Sequence, residues 1–142
     1  MFTYQYPRPA LTADTVALRD AGGVLEVLLI QRRHDPFAGQ WALPGGFVDE
    51  YESPAEAARR ELAEETGVAW EGELTLVGVF SKRGRDPRGW TVACGFVAML
   101  DTPDVDLVPA DDAADARWFP VVALPPVAFD HHEIVAAALE YL

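Results

Sequence analysis

The chain has 142 residues, of which half are hydrophobic and about a quarter are charged. We expect one domain over residues 1–142, because a chain of this length forms a single core. Its 11 Lys and Arg against 23 Asp and Glu give a net charge of −12, which disfavours nucleic acid and anionic membranes as partners. Cys94 is the single cysteine, which excludes an internal disulfide framework and a cysteine-rich zinc site. Without a signal-peptide pattern in residues 1–11 or an apolar run of membrane-spanning length, we expect a cytoplasmic protein.

Hydrophobic patterning, turn residues and prolines divide the first 48 residues into strands and loops. We expect, in chain order, an irregular lead-in at residues 1–11, a strand at 12–18, a turn at 20–23, a buried strand at 24–30, a loop at 34–40 and an extended segment at 41–48 that is interrupted by Pro44-Gly45-Gly46.

A helix over residues 54–66 is the clearest prediction in the chain. Ser53 is a typical N-cap, Pro54 suits the first helical position, and Glu56 completes a capping-box pattern. Gly67 supplies the residue that commonly ends a helix.

The second half of the chain again mixes strands and a helix. We expect strands at 74–81 and 90–100, an acidic loop at 101–115, a short strand at 117–119 and a terminal helix at about 130–142. Because strands and helices interleave, the fold class is predicted as α/β or α+β, with helices covering a mixed sheet.

Three carboxylates crowd the end of the predicted helix. Glu61, Glu64 and Glu65 fall at positions i, i+3 and i+4, and so lie on one face in the last turns. Like charges at this spacing repel, and the helix macrodipole disfavours negative charge there. One interpretation is a solvated acidic face. The other is a site for a hard divalent cation such as Mg²⁺, which prefers carboxylate oxygens and shares its coordination with substrate phosphates.

The residues before and within this helix decide between the two interpretations. Gly46 is followed after five residues by Glu52, and after seven more by Arg60-Glu61-Leu62-x-Glu64-Glu65-x-Gly67-Val68. This pattern resembles the signature box of the Nudix hydrolases at every defined position. A chance match in a chain of this length has a probability on the order of 10⁻⁷.

The resemblance implies an α/β/α sandwich around a mixed sheet and the hydrolysis of a nucleoside diphosphate linked to another moiety. It implies that Glu61, Glu64, Glu65 and the carbonyl of Gly45 bind Mg²⁺ or Mn²⁺, with Glu61 and Glu64 as the candidate catalytic residues. Glu61 is a candidate general base, and an acid from the Asp111-Asp112 loop is the alternative.

Two further residues of the box match positions that brace the glycine loop against the helix. The resemblance assigns this supporting role to Glu52 and Arg60. The partner that it implies is a small-molecule nucleotide. We also expect a homodimer, because members of the ADP-ribose pyrophosphatase-like branch of the family, which the chain resembles, often pair.

The substrate is indicated by weaker patterns. Arg32, Arg85 and Arg88 are candidate contacts for phosphate or ribose. Arg85 and Arg88 lie in a predicted loop that also holds Lys82 and Arg83. The alternative is that this loop is an exposed turn whose arginines pair with aspartates. For His131 and His132 we expect capping or surface roles, with contact to the substrate as the alternative. For Trp41, Phe47 and Trp90 we expect core packing rather than base stacking. Segments such as Asp86-Pro87-Arg88-Gly89 and Phe129-Asp130-His131 resemble the ADP-ribose pyrophosphatase-like branch, which also includes sensor domains.

Three functions follow from this resemblance. The first is hydrolysis of ADP-ribose to AMP and ribose 5-phosphate. The second is a nucleotide-pool enzyme that acts on oxidised or non-standard nucleoside triphosphates or on dinucleoside polyphosphates. The third is a non-catalytic module that senses ADP-ribose or another nucleotide.

Overall fold

A computed structural model of the protein describes residues 2–101 and 106–142. Its elements follow in the order β1 Ala10–Ala21, β2 Val24–Arg32, β3 Trp41–Ala42, β4 Gly45–Phe47, α1 Pro54–Thr66, β5 Thr75–Phe80, β6 Thr91–Met99, β7 Ala113–Pro120, a 3₁₀ turn Val121–Ala123, and α2 His131–Tyr141. Within these ranges, no helix is long and apolar enough to cross a membrane.

The strands form one mixed sheet. Its main order is β3-β2-β1-β6-β5, while β4 also pairs with β1 and β7 with β2. The pairing of β1 with β6 is parallel and the other pairings are antiparallel. The predicted class, with a mixed sheet and covering helices, is confirmed.

The middle of strand β2 is buried on both of its faces. Along β2, Leu28 and Ile30 join the cluster that contains Leu62 of α1, whereas Val27 and Leu29 join the cluster that contains Ile134 of α2. Successive side chains of a strand point to opposite faces, so α1 and α2 cover opposite sides of the sheet. The sandwich that the resemblance implied follows from this alternation.

The bounds of α1 match their prediction because local residues determine them. The backbone N–H of Glu56 donates to the Ser53 hydroxyl at 3.1 Å. Gly67 adopts a left-handed φ of 80° and its N–H donates to the Ala63 carbonyl. Both ends of the helix are therefore closed by contacts within a few residues of sequence.

Strands β1 and β7 are longer than predicted because distant pairing extends them. Strand β1 begins at Ala10, inside the expected lead-in, because Ala10 pairs with Thr91 of β6. Strand β7 begins at Ala113, inside the expected acidic loop, because Ala113 pairs with Arg32 of β2. Residues 102–105 of that predicted loop lie outside the described residues.

The glycines that were expected to interrupt an extended segment are themselves part of a strand. Gly45 and Gly46 begin β4 and pair with Asp14 and Ala13 of β1. This pairing places the glycine pair beside the middle of β1 and facing α1.

Candidate active site

A pocket of about 320 Å³ opens where β1, β4 and α1 meet the loop that precedes β6. Its lining contains most of the residues predicted for the site. We call Asp14, Glu61 and Glu65 the acid wall, and Arg32, Arg85 and Arg88 the basic wall; all six side chains line this pocket. The lining of the pocket thus combines a group of acidic side chains with a group of arginines.

The acid wall holds buried carboxylates close to one another. Glu65 is 4% exposed and accepts a hydrogen bond from the Gly45 N–H at 2.8 Å. Burial raises the pKa of Glu65 to about 8 and the pKa of Asp14 to about 7, and the charge on Glu61 adds to both shifts. Burial also raises the pKa of Glu61. These acids resist ionisation together when no cation lies between them.

Arg60 joins the end of β4 and the loop that follows it to helix α1. Its Nε and Nη2 donate to Glu52 at 2.8 and 3.0 Å, and Nη2 also donates to the Phe47 carbonyl at 3.1 Å. Its Nη1 donates to Glu61 at 2.8 Å and to Glu64 at 3.2 Å. One guanidinium therefore spans the loop before α1 and two carboxylates of its later turns.

The glycine pair keeps open the space in front of the acid wall. A Cβ built on Gly46 would lie 2.6 Å from a carboxylate oxygen of Glu61, and a Cβ on Gly45 would collide with Asp14. No side chain larger than hydrogen fits at either position while these acids keep their places. The backbone of β4 therefore approaches the carboxylates closely, which suits a small ligand shared between carbonyl and carboxylate oxygens.

The donor set fits a hard divalent cation. Carboxylate oxygens of Glu61, Glu64 and Glu65 and the backbone oxygens of the glycine pair are the ligand types that Mg²⁺ and Mn²⁺ prefer. In the part of the chain that the structure describes, no three Asp, Glu, His or Cys side chains already converge on a metal-binding point. Arg60 holds two of the three carboxylates and the Gly45 N–H holds the third. The residues fit a cation once these hydrogen bonds are exchanged.

The basic wall is a network of paired arginines. Arg85, whose side chain is 4% exposed, donates to both carboxylate oxygens of Asp130 at 2.6 and 2.9 Å and to the Thr91 hydroxyl at 2.9 Å. Arg88 donates to Asp86 at 2.8 Å. The predicted pairing with aspartates is therefore present, but the alternative of an exposed turn is wrong for the buried Arg85.

Aromatic rings hold the more accessible arginines of this wall. The Arg88 guanidinium lies 4.8 Å from the ring centroid of Phe47 and 5.4 Å from that of Phe129. Arg32 lies 5.0 Å from the Phe129 ring and donates to the Pro36 carbonyl at 2.7 Å. Both guanidinium groups are thereby held at the mouth of the pocket with donors left for a ligand.

His131 lies inside the pocket, so the expected capping or surface role is wrong for it, whereas His132 is exposed. Its Nδ1 accepts the Leu43 N–H at 2.9 Å, and its Nε2 lies 3.8 Å from Asp14. Burial lowers the pKa of His131 to about 3, which keeps the ring neutral with the remaining proton on Nε2, facing Asp14. The contact arises because the start of α2 docks against the segment after β3.

Two aromatic residues also differ from their predicted role. Phe47, which lines the pocket, is 42% exposed, and Trp90, directly before β6, is 58% exposed. Neither ring packs in the core. Trp41 does pack against the core cluster of α2, as expected. Phe47 at the end of β4 and Trp90 in the loop before β6 lie at the surface although their size favours burial.

Asp14 and Asp130 were missed by the sequence analysis. Asp14 is an acid in the middle of a buried strand of small and apolar residues, and that contrast is the signal that could have identified it. Asp130 gives no comparable signal, since its partner Arg85 lies 45 residues away. Of the alternative acids, Asp112 lines the pocket and Asp111 does not.

Comparison with known proteins gives a consistent result. Residues 8–138 match the NUDIX domain family. The chain is 41% identical over 130 residues to an ADP-ribose pyrophosphatase of Methanocaldococcus jannaschii. The match covers 92% of this chain and 73% of that protein. It is 34% identical over 141 residues to the ADPR responsive transcriptional repressor NtrR of Acinetobacter baylyi, covering 96% of this chain and 56% of the repressor.

Solved structures agree in fold. The NUDIX domain of Shewanella oneidensis NrtR, complexed with ADP ribose, superposes with a TM-score of 0.86 at 33% identity, and the match covers 96% of this chain and 90% of that domain. This chain spans little more than half of the length of the Acinetobacter repressor.

Proposed function

The chain belongs to the Nudix family and is a Nudix hydrolase, and we propose that it cleaves the pyrophosphate of ADP-ribose to AMP and ribose 5-phosphate. The observation that carries the proposal is the close approach of the Gly45-Gly46 backbone to Glu61 and Glu65, in a pocket that three arginines also line. A pyrophosphate fits between a cation-binding side and an arginine side. The ADP-ribose pyrophosphatase of M. jannaschii supports the choice of substrate.

The residues proposed to hold a divalent cation are Glu61, Glu64, Glu65 and the carbonyl of Gly45. When bound, Mg²⁺ or Mn²⁺ withdraws charge from the pyrophosphate oxygens and lowers the pKa of the attacking water. Arg60 can release Glu61 and Glu64, which share its Nη1, while its Nε and Nη2 keep hold of Glu52 and the Phe47 carbonyl. The loop thus stays attached to α1 when the carboxylates exchange partners.

A carboxylate in or beside the pocket is proposed to take the proton of the attacking water. Glu61 lies directly opposite Gly46, and burial raises its pKa, which favours proton uptake by this carboxylate. Glu64 is the second proposed catalytic carboxylate. Asp112 is the alternative base, since it lines the same pocket.

The basic wall is proposed to orient the substrate. Arg32 and Arg88 retain donors for phosphate or ribose oxygens, and the rings of Phe47 and Phe129 keep their guanidinium groups in place. In contrast, all three guanidinium nitrogens of Arg85 donate within the protein, to Asp130 and to Thr91. We therefore assign Arg85 to positioning the loop rather than to the direct substrate contact predicted from sequence.

The test is a product assay with ADP-ribose and Mg²⁺. We expect AMP and ribose 5-phosphate to form, and chelation by EDTA to stop the reaction. A panel of nucleoside triphosphates and dinucleoside polyphosphates is assayed in parallel. Faster release of pyrophosphate from a triphosphate, without AMP from ADP-ribose, would overturn the proposed substrate in favour of the nucleotide-pool function.

ADP-ribose sensing is the second candidate function, because the repressor of A. baylyi responds to that ligand and is 34% identical to this chain. It predicts tight binding of ADP-ribose without turnover. Calorimetric titration in the presence of Mg²⁺, followed by product analysis of the same sample, distinguishes the two functions.

A further inference from the structure

Almost every basic side chain of this acidic protein is already engaged. Of its 11 Lys and Arg, nine have a hydrogen bond, an ion pair or a ring contact: Arg8, Arg19, Arg32, Arg33, Arg59, Arg60, Arg85, Arg88 and Arg117. Lys82 and Arg83 have no such partner among residues 2–101 and 106–142. These two side chains are adjacent, exposed and carried by one loop.

The loop that carries them is held in a defined shape. The Arg85 N–H donates to the Lys82 carbonyl at 3.1 Å, and the Gly89 N–H donates to the Asp86 carbonyl at 3.3 Å, so two turns follow each other. Gly84 has a left-handed φ of 81° between them. The bidentate pair of Arg85 with Asp130 fastens this loop to the start of α2. The two cations therefore project from a fixed base, which lowers the entropic cost of binding an anion.

A second cavity lies on this loop. It has a volume of about 630 Å³ and is lined by residues 81–87 and 89–91, a size within the range of roughly 300–1,000 Å³ that small-molecule sites occupy. Trp90, 58% exposed, forms part of its wall. An exposed indole offers a flat surface on which a heterocyclic base stacks.

The chemistry of this cavity indicates its ligand. Two cations without protein partners suit a phosphate group, and an exposed indole suits an aromatic base, so the combination matches a mononucleotide. The cavity shares only Arg85 and Asp86 with the active-site pocket. We propose that this cavity is a second nucleotide-binding site, separate from the active-site pocket, with the base on Trp90 and the phosphate at Lys82 and Arg83.

The proposal does not depend on the reaction proposed above, and AMP alone is a sufficient probe. In ¹H–¹⁵N spectra of the full chain, each of the four tryptophans gives a separate indole signal. We expect the Trp90 signal to shift on titration with AMP, and to respond more weakly to adenosine or to inorganic phosphate alone. AMP that binds only in the active-site pocket would leave the Trp90 signal in place.

A pair of double variants tests the contribution of the two cations. Lys82→Ala with Arg83→Ala should weaken the AMP titration seen at Trp90 by about tenfold or more, because charge-assisted contacts to phosphate are lost. Arg8→Ala with Arg117→Ala removes the same charge from two other exposed positions and should leave that titration unchanged. The conservative pair Lys82→Arg with Arg83→Lys should retain it.

Two results would overturn the proposal. One is a Trp90 signal that does not respond to AMP. The other is equal weakening in both double alanine variants, which would show a general effect of net charge instead of a site on this loop. The same spectra show whether each variant is folded.

Discussion

The two walls of the active-site pocket treat their charges in opposite ways. In the basic wall, Arg85 is matched by Asp130 and Arg88 by Asp86 and two aromatic rings. In the acid wall, burial raises the pKa of Asp14 to about 7 and of Glu65 to about 8. Two of the arginines in the basic wall are thus neutralised by aspartates of the protein, whereas burial opposes ionisation of the acid wall. We propose that a bound cation balances the acid wall.

The largest expected effect comes from neutralising a carboxylate that is proposed to bind the cation. Glu65→Gln keeps an acceptor for the Gly45 N–H but removes a charge, so we expect ADP-ribose turnover at saturating Mg²⁺ to fall by roughly 10³-fold. Glu64→Gln should behave similarly. Thermal unfolding of either metal-free variant should occur at the wild-type temperature or slightly above it, because repulsion is relieved.

The matched control for these variants is Glu56→Gln. Glu56 is an exposed acid in the first turn of the same helix, and its neutralisation should leave turnover unchanged. Near-wild-type turnover in Glu64→Gln or Glu65→Gln would show that the metal role assigned to that residue is wrong.

Breaking the basic wall should cost stability. Arg85→Ala leaves the carboxylate of Asp130 buried without its partner, and we expect the free energy of unfolding to fall by about 3 kcal/mol in urea denaturation. Removing both charges, as Arg85→Met with Asp130→Asn, should recover much of this loss. Arg117→Ala, which breaks an exposed pair with Asp115, should change stability by less than about 0.5 kcal/mol. A loss as small in Arg85→Ala would contradict a completed basic wall.

The pH dependence of stability tests the raised pKa values of the acid wall. Above pH 6.5, unfolded carboxyl groups are ionised while folded Asp14 and Glu65 still bind protons, so stability of the metal-free protein should fall as pH rises to 8. The fall should be on the order of 2 kcal/mol. His131, with its pKa lowered to about 3, acts in the opposite direction, but only below about pH 6.5.

This slope can be measured by urea denaturation in EDTA at pH 6.5, 7.2 and 8.0. Glu65→Gln should remove more than half of it, and excess Mg²⁺ should reverse it because the cation binds the ionised carboxylates. A stability that rises between pH 6.5 and 8 in EDTA would contradict the assignment of proton uptake to the acid wall.

The smallest expected effect concerns the loop that supports the acid wall. Tyr51 is 98% exposed and has a left-handed φ of 64°, a conformation that costs a non-glycine residue about 1 kcal/mol or more. Tyr51→Gly should therefore raise the free energy of unfolding by about 0.5 kcal/mol, net of the added freedom of the unfolded chain. Tyr51→Ala, which removes the ring but keeps the strain, should not. Equal stability of the two variants would mean that the backbone at this position is unstrained.

The parts of the molecule that were predictable are those that short stretches of sequence determine. Ser53 and Gly67 define both ends of α1 from within a few residues. The spacing of Glu61, Glu64 and Glu65 places three carboxylates on one face of that helix, and only the resemblance to the Nudix box assigns them to a cation. Periodicity and caps suffice for features of this kind.

The parts that were not predictable depend on contacts between distant residues. The hydrogen bond from Leu43 to His131 spans 88 residues, and the pair of Arg85 with Asp130 spans 45. The full length of β1 depends likewise on its parallel pairing with β6. No local pattern encodes which of several histidines or aspartates such a partner will be, so the partners of the three predicted arginines emerge only from the fold.

The most direct test of the central claim is a crystal structure with Mn²⁺ and a non-hydrolysable analogue of ADP-ribose. We predict anomalous density for manganese among Glu61, Glu64, Glu65 and the Gly45 carbonyl, in contact with the pyrophosphate of the analogue. Solvent alone beside these carboxylates, with the pyrophosphate bound elsewhere, would contradict the account.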